Sequence, residues 1–351
     1  MKGLFDTCTR LLAGGEDVVT ATIISRSGSA PRTAGTKMLV RRDGSFAGTI
    51  GGGLLEALVL EQAREVFQTG QAVIREFNLT GADAAGMDMI CGGRLEVFVD
   101  FLSAGDPVNV EIFRTVSDLL RTGQRALLVT GLPSHAGDGA RFNRCLLLKD
   151  GRQTGCSPDA GLAERLSPVF KSRYPQLVLL NEANFIAEPV NSPGTVYLFG
   201  AGHVAQQVAR LTAMVDFRTV VLDDREEFAN RQRFPLADEI IVPEDFNRCL
   251  KDLPISGDSY LVIVTRGHRY DLTVLAQALQ TGACYIGMIG SRRKRDAIYR
   301  ALRETGVTEE QLSGVHSPIG LSIEAETPEE IAVSIVAELI KVRGKLMYGQ
   351  L

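Results

Sequence analysis

The chain has 351 residues, 45% hydrophobic and 23% charged, with a formal net charge of −4 from 38 basic and 42 acidic side chains. That length allows two or three domains with ample core, and the near balance of charge argues against bulk binding to nucleic acid or to an acidic membrane surface. No apolar run approaches the roughly 18 residues of a membrane span. Asp6 stands where a signal peptide needs its apolar centre, and six scattered cysteines without a C-x-x-C pair suit reduced thiols, so a cytoplasmic protein is expected.

Residues 18–25 are β-branched and read as a strand. A turn-rich loop, Ser27 to Thr36, follows and carries Ser29 and the single arginine Arg32. A second strand at 37–41 turns at Asp43-Gly44, a hairpin dipeptide. It leads to Gly51-Gly52-Gly53 and a helix from Leu54 to Phe67. Three consecutive glycines are entropically costly and are kept where the backbone must approach something closely or take positive φ. A glycine loop opening a helix is an anion-binding design, although the P-loop lysine is missing; a purely structural turn fits the residues equally. Next comes Met89-Ile90-Cys91-Gly92-Gly93-Arg94 before a strand at 95–99. Cys91 lies in a loop beside two glycines where a thiolate could meet a ligand; Cys8, Cys145, Cys249 and Cys284 sit in apolar patterns and read as core.

Residues 125–166 repeat 18–59 in worn form. Lys37 to Gly44 aligns with Arg144 to Gly151, a shift of 107 (144 − 37), and the same shift pairs Gly48 with Gly155 and 19–22 with 126–129. The triple glycine becomes Pro158-Asp159-Ala160 in the second copy, which therefore reads as scaffold or partner surface. Asn191-Ser192-Pro193-Gly194 is a turn-rich joint. The expected domains are 1–105, 106–190 and 191–345.

The last domain opens on Tyr197-Leu198-Phe199-Gly200-Ala201-Gly202-His203-Val204-Ala205, a strand breaking into G-x-G-x-x-A and a helix. The glycines permit a tight turn and close approach of a pyrophosphate, and the small Ala205 packs helix on strand. The strand at 219–222 ends in Asp223-Asp224, about where such folds keep a ribose-binding acid. A polar helical stretch is expected next, then strands at 239–242, 259–265 and 284–290, with a helix over 272–279 between the last two. Alternation of this kind makes a doubly wound parallel sheet with ligands at the strand C-termini, where Arg266, His268, Ser291 and Arg292 fall. The basic run 292–295 either clamps phosphates or is a solvated helix face. His203 lies in the glycine loop. Thr327-Pro328-Glu329-Glu330 is a helix start signal for a segment through Ile340 that packs back on the sheet.

Taken together, Gly28-Ser29-Ala30-Pro31-Arg32, Gly48 to Glu56, Met89 to Gly93, Phe199 to Ala205, Thr265 to His268, Gly290 to Lys294 and His316 to Leu321 resemble the XdhC/CoxI family, accessory proteins of xanthine dehydrogenase and related molybdenum hydroxylases. The likeness covers both ends of the chain and is loose over 106–190. It implies an α/β chain, with an N-terminal α+β module holding the degenerate repeat and a C-terminal Rossmann-like sheet. It also implies a chaperone, a maturation factor more than an enzyme, that binds the molybdenum cofactor (molybdopterin or its cytosine dinucleotide form); the worn repeat, for its part, offers a surface through which a homodimer is expected. Such a chaperone holds the cofactor while a cysteine desulfurase helps replace an oxo ligand by sulfur, and delivers it to a molybdenum hydroxylase. On that reading Cys91 contacts the metal, a soft ligand for a soft centre. Ser29, Arg32, Gly51, Gly52, Gly53, Gly92, Gly93, Gly200, Gly202, His203, Ala205, Asp223, Arg266, His268, Ser291 and Arg292 line the cofactor or nucleotide. The alternative is an NAD-dependent oxidoreductase using the C-terminal site, with Asp223 disfavouring the 2′-phosphate of NADP; a scaffold with an empty nucleotide fold is the third reading.

Overall fold

The computed structural model describes residues 2–28, 32–78, 93–122, 124–133, 144–156, 161–172, 174–180, 183–190 and 194–348. It divides into two compact units, Met1–Asn191 and Ser192–Leu351.

In the first unit the strands are β1 (Val18–Ser27), β2 (Lys37–Arg41), β3 (Phe46–Gly48), β4 (Val73–Asn78) and β5 (Arg94–Leu102), then β6 (Ala126–Gly131), β7 (Arg144–Leu148), β8 (Gln153–Gly155), β9 (Gln176–Leu180) and β10 (Ala183–Val190). Its helices are α1 (Lys2–Ala13), α2 (Gly53–Thr69), α3 (Pro107–Thr122) and the short α4 (Leu162–Arg165). Two antiparallel sheets result, ordered β3-β2-β1-β5-β4 and β8-β7-β6-β10-β9. The second order is the first repeated strand for strand, so the worn repeat is a true structural duplication.

The registers refine it. Met38 faces Gly48 and Cys145 faces Gly155, which keeps the shift of 107 in the hairpin. Val18 faces Arg41 while Ala126 faces Leu148, so β1 and β6 correspond at a shift one residue longer, and Thr22 is the counterpart of Thr130. The physical demand on the hairpin survives in both copies. Gly48 and Gly155 have φ of 80° and 91°, and a Cβ there would lie 2.6 Å from the Lys37 carbonyl and 2.4 Å from the Arg144 carbonyl.

The duplication extends to helices that precede the two repeated segments, α1 before 18–59 and α3 before 125–166. Leu4, Phe5, Cys8 and Leu12 of α1 and Ile112, Phe113, Val116 and Leu120 of α3 lie on matching faces. Both sets, with Leu39 and Val18 of one sheet and Leu128, Leu146 and Leu148 of the other, form one shared core. Burial of each such side chain stabilises by about 1.5–3 kcal/mol. Outside this centre, Leu55, Val59, Ala63 and Val66 of α2 cover the opposite face of the first sheet. In the second copy that long helix shrinks to α4 and a 3₁₀ turn, Ser167–Lys171, over the matching face. Residues 106–190 thus share a core with 1–105.

The second unit holds β11 (Thr195–Phe199), β12 (Arg218–Leu222), β13 (Glu239–Ile241), β14 (Ser259–Ile263), β15 (Tyr285–Met288) and β16 (Val315–His316). Its helices are α5 (His203–Met214), α6 (His268–Ala278), α7 (Arg292–Glu304), α8 (Glu309–Ser313) and α9 (Pro328–Tyr348). All pairings are parallel, in the order β13-β12-β11-β14-β15-β16, and strand order reverses between β11 and β14. This is the Rossmann arrangement with its crevice at the switch point.

Alternation along β11 feeds both layers. Val196 and Leu198 meet α5 and α9, whereas Tyr197 and Phe199 meet α6 and α7. The expected start of the last helix is present: Glu330 Oε2 accepts from the Thr327 N–H at 3.0 Å, and Thr327 Oγ1 accepts from the Glu330 N–H at 3.2 Å. The helix runs on to Tyr348, beyond Ile340. The polar helical stretch expected after Asp223 is instead a series of turns through 237, because local side chains and backbone carbonyls there satisfy one another, as with Asn230 Nδ2 donating to the Glu226 and Glu227 carbonyls.

Candidate functional site

The C-terminal edge of the parallel sheet is built around Gly200. Its φ of 112° and a hypothetical Cβ only 2.4 Å from the Val264 carbonyl leave room for glycine alone. That tight packing of the loop on β14 turns the chain sharply into α5. Gly202 caps α5 without any side-chain hydrogen bond, and a Cβ on it would meet nothing within 4 Å. The helix start therefore opens on free space with uncapped N–H groups, the electrostatic requirement for an anion. Ala205 is fully buried against the strand, and His203 is exposed at the first helical position.

Asp223 follows β12 as expected but has a different task. It is 2% exposed. Its Oδ2 accepts from the Ala201 N–H at 2.8 Å and from Arg225 Nη2 at 2.9 Å, and its Oδ1 accepts from Arg225 Nε at 2.8 Å. Burial pushes its carboxyl upward, but the Arg225 fork and the Ala201 N–H outweigh it and hold the group below its ordinary value. Both oxygens are filled by protein donors, so the expected ribose-binding acid is a brace for the glycine loop. Arg233 also holds this loop, with Nη2 donating to the Ala201 carbonyl at 3.3 Å. Both arginines lie against the Phe228 ring, whose centroid is 3.7 Å from the Arg225 and 5.0 Å from the Arg233 guanidinium carbon. Sequence reading missed both arginines, since they come from the segment taken for a polar helix.

The other residues expected at this edge are also engaged. Arg266 donates to Asp224 Oδ2 at 2.7 Å and to the Tyr270 hydroxyl at 3.0 Å. Ser291 caps α7 by accepting from the Lys294 N–H. Within the basic run, Lys294 pairs with buried Asp271, which also accepts from Thr265 Oγ1 at 2.6 Å. Arg295 pairs with Asp296 and donates to the Ser317 carbonyl. Arg292 and Arg293 are exposed. His268 opens α6, and its side chain lies outside the described residues.

The tail motif supplies a second group that sequence reading left without a role. Glu338 of α9 accepts from the Tyr285 hydroxyl at 2.6 Å and the Gly320 N–H at 2.9 Å, and pairs with His316 Nδ1 at 3.1 Å. Burial raises the Glu338 carboxyl, and these three donors more than reverse it. The spacing from 316 to 338 hides this pair from any local pattern.

In the first unit Ser29, Cys91 and Gly92 lie outside the described residues. Arg32 is exposed in the β1–β2 loop, and Gly93 is buried just before β5. Gly51, Gly52 and Gly53 have φ of 140°, 81° and 60°. Their loop already holds a carboxylate of its own chain: Glu56 Oε1 accepts from Thr49 Oγ1 at 2.5 Å, the Gly52 N–H at 3.0 Å and the Ile50 N–H at 3.3 Å. An incoming anion here competes with Glu56. Among the described cysteines, Cys8, Cys145 and Cys249 are buried, and burial pushes their thiols up to about 12, 11 and 12. Cys156 is exposed.

The shared core of this unit contains a buried charged cluster beside a cavity lined by Cys8, Thr20, Thr22 and Thr130. Lys37 pairs with Glu188 at 2.6 Å and donates to Thr22 at 2.6 Å. Arg144 pairs with Asp100 and donates to Asn109. Lys37 and Arg144 hold equivalent places in the two copies, as do Asp100, opposite Thr20, and Glu188, opposite Leu128. Each copy gives its cation to the other's carboxylate. The alignment of Lys37 with Arg144 was the visible signal; the crossing of partners was not.

Comparison with known proteins agrees with this architecture. A family model described as the XdhC Rossmann domain matches residues 196–339, and one described as the XdhC and CoxI family matches 11–78. A Bacillus subtilis protein named as a probable xanthine dehydrogenase subunit is 28% identical over 96% of each chain. The molybdenum cofactor insertion chaperone PaoD of Escherichia coli is 22% identical over 95% of this chain and 85% of its own length. The uncharacterized protein YqeB of Escherichia coli is 28% identical over 94% of this chain, which spans only 44% of YqeB. A crystal structure described as a xanthine dehydrogenase from Bacillus halodurans superposes with a TM-score of 0.79 at 28% identity, covering 97% of this chain and 95% of that one. With both halves matched in order and the duplicated and Rossmann units in place, the chain belongs to the XdhC and CoxI family.

Proposed function

We propose that this protein is a molybdenum cofactor-binding chaperone that supports cofactor sulfuration and insertion into a xanthine dehydrogenase-type hydroxylase. The observation that carries the reading is likeness along nearly the whole chain to relatives named for xanthine dehydrogenase and for cofactor insertion. Cys91 is the metal-side contact in this reading, with a cysteine desulfurase and the target hydroxylase as partners and the protein a cytoplasmic homodimer. Burial of Cys8, Cys145 and Cys249 supports the choice, since a high thiol pKa leaves little thiolate for a metal. The test is equilibrium dialysis against freshly released molybdopterin, read by fluorescence after oxidation. Retention by the wild-type protein and its loss in Cys91→Ser are expected. No retention by wild type refutes the chaperone reading, and full retention by the variant refutes only the role of Cys91.

The open, uncapped start of α5 supports nucleotide binding at the C-terminal sheet edge, the one feature that favours a second reading, an NAD-dependent oxidoreductase.

A further inference from the structure

The second unit has a built glycine loop with open space above it, and the groups beside that loop specify what ribose it accepts. An adenosine ribose with free 2′- and 3′-hydroxyls needs a carboxylate acceptor at the end of the second strand. Asp223 stands there with each oxygen already accepting from Arg225, one of them also from Ala201, and with 2% exposure. The next acid, Asp224, accepts from Arg266 at Oδ2, and its Oδ1, closed to solvent and without a hydrogen-bond donor, lies 4.0 Å from Arg225 Nε.

What the edge presents in place of an acceptor is a guanidinium pinned in position. Arg225 is held by two bonds to Asp223 through Nε and Nη2, and its plane lies on Phe228. Neither bond uses Nη1, and the side chain keeps 25% exposure. Donors therefore remain for a ligand on a group whose rotamer entropy is already spent. Arg233 also contacts that ring and is bonded to the glycine loop itself. The charged N–H donors left on Nη1 match phosphate oxygens, whereas two neutral ribose hydroxyls gain little from them.

We propose that the Rossmann site of this chain binds an adenine nucleotide phosphorylated on its ribose, of the NADP type, in preference to NAD, with Arg225 reading the 2′-phosphate and the start of α5 taking the pyrophosphate. This reverses the expectation drawn from Asp223 in the sequence. The proposal is independent of molybdenum cofactor binding and stands or falls separately from it.

Isothermal titration of the full chain with NADP, NAD, 2′,5′-ADP and 5′-ADP is the test. NADP is expected to bind at least about 10-fold more tightly than NAD, and 2′,5′-ADP more tightly than 5′-ADP by a similar factor. Arg225→Gln is expected to bring both ratios to one or below it, since the change removes the guanidinium and also frees the Asp223 carboxylate to accept from a ribose hydroxyl. Arg225→Lys, which keeps the charge but not the fork, is expected to fall between. Equal or tighter binding of NAD by the wild-type protein overturns the proposal. So does the absence of binding by any of the four at millimolar concentration, or displacement of 2′,5′-ADP by an equal concentration of inorganic phosphate. The wild-type ratios decide by themselves, so a poorly folded variant leaves no gap.

Discussion

Substituting Arg144→Met tests the crossed ion pairs most directly. Arg144 and Asp100 are 7% and 8% exposed at their side chains. Methionine fills much of the volume but leaves the Asp100 carboxylate buried without its partner and Asn109 Oδ1 without its donor. Orphaning one half of a buried pair costs about 3–5 kcal/mol, and an unfilled amide acceptor adds about 1 kcal/mol. Against a usual stability of about 5–15 kcal/mol, that brings the first unit near its unfolding threshold. Urea unfolding of the full chain followed by far-UV circular dichroism reads this out. With a slope of about 2–3 kcal/mol per molar, the midpoint for the first unit falls by roughly 1–3 M. Lys37→Met orphans Glu188 in the equivalent way and is expected to act alike. The paired change Arg144→Met with Asp100→Leu removes both charges and is expected to recover most of the loss. If the double variant is as unstable as Arg144→Met, the damage comes from lost packing and not from an orphaned charge.

Gly155→Ala places a Cβ 2.4 Å from the Arg144 carbonyl at φ 91° and is expected to cost about 2–4 kcal/mol. Gly151→Ala, at φ 87° in open space, costs only about 1–2 kcal/mol; equal midpoints in urea for the two variants would contradict the close contact. The Asp223 carboxyl is held below its ordinary value near 3.8, so its contribution is present above that pH and is lost as pH falls below it. The melting temperature of wild type therefore exceeds that of Asp223→Asn at pH 7, and the gap closes below about pH 4; a gap independent of pH disproves the brace. Iodoacetamide at pH 8 with mass-spectrometric readout should label Cys156 far faster than Cys8, Cys145 or Cys249. Comparable labelling of Cys145 would mean that its strand opens far more readily than its burial implies.

Much of the fold could be read locally because its signals are local. The hairpin dipeptides, the repeated Lys37 and Arg144 segments, the strand before Gly200 and the capping box at Thr327 each depend on neighbours a few residues apart. Glycine at 48, 155 and 200 reports a backbone demand that no other residue meets. From such patterns the sequence determined two duplicated hairpin units, a parallel sheet and the place of its glycine loop. What those glycine loops hold was decided elsewhere. Glu56 sits in one and Asp223 in the other, both as internal anions, and a carboxylate looks the same in sequence whether it faces a ligand or its own backbone. Arg225 and Arg233 reach the loop from turns, where periodicity is silent. His316 meets Glu338 across sheet and helix, and Lys37 meets Glu188 across two copies of one motif. Hydrogen bonds and ion pairs act over about 3 Å in space, whatever the distance along the chain, so only the tertiary structure could assign those partners.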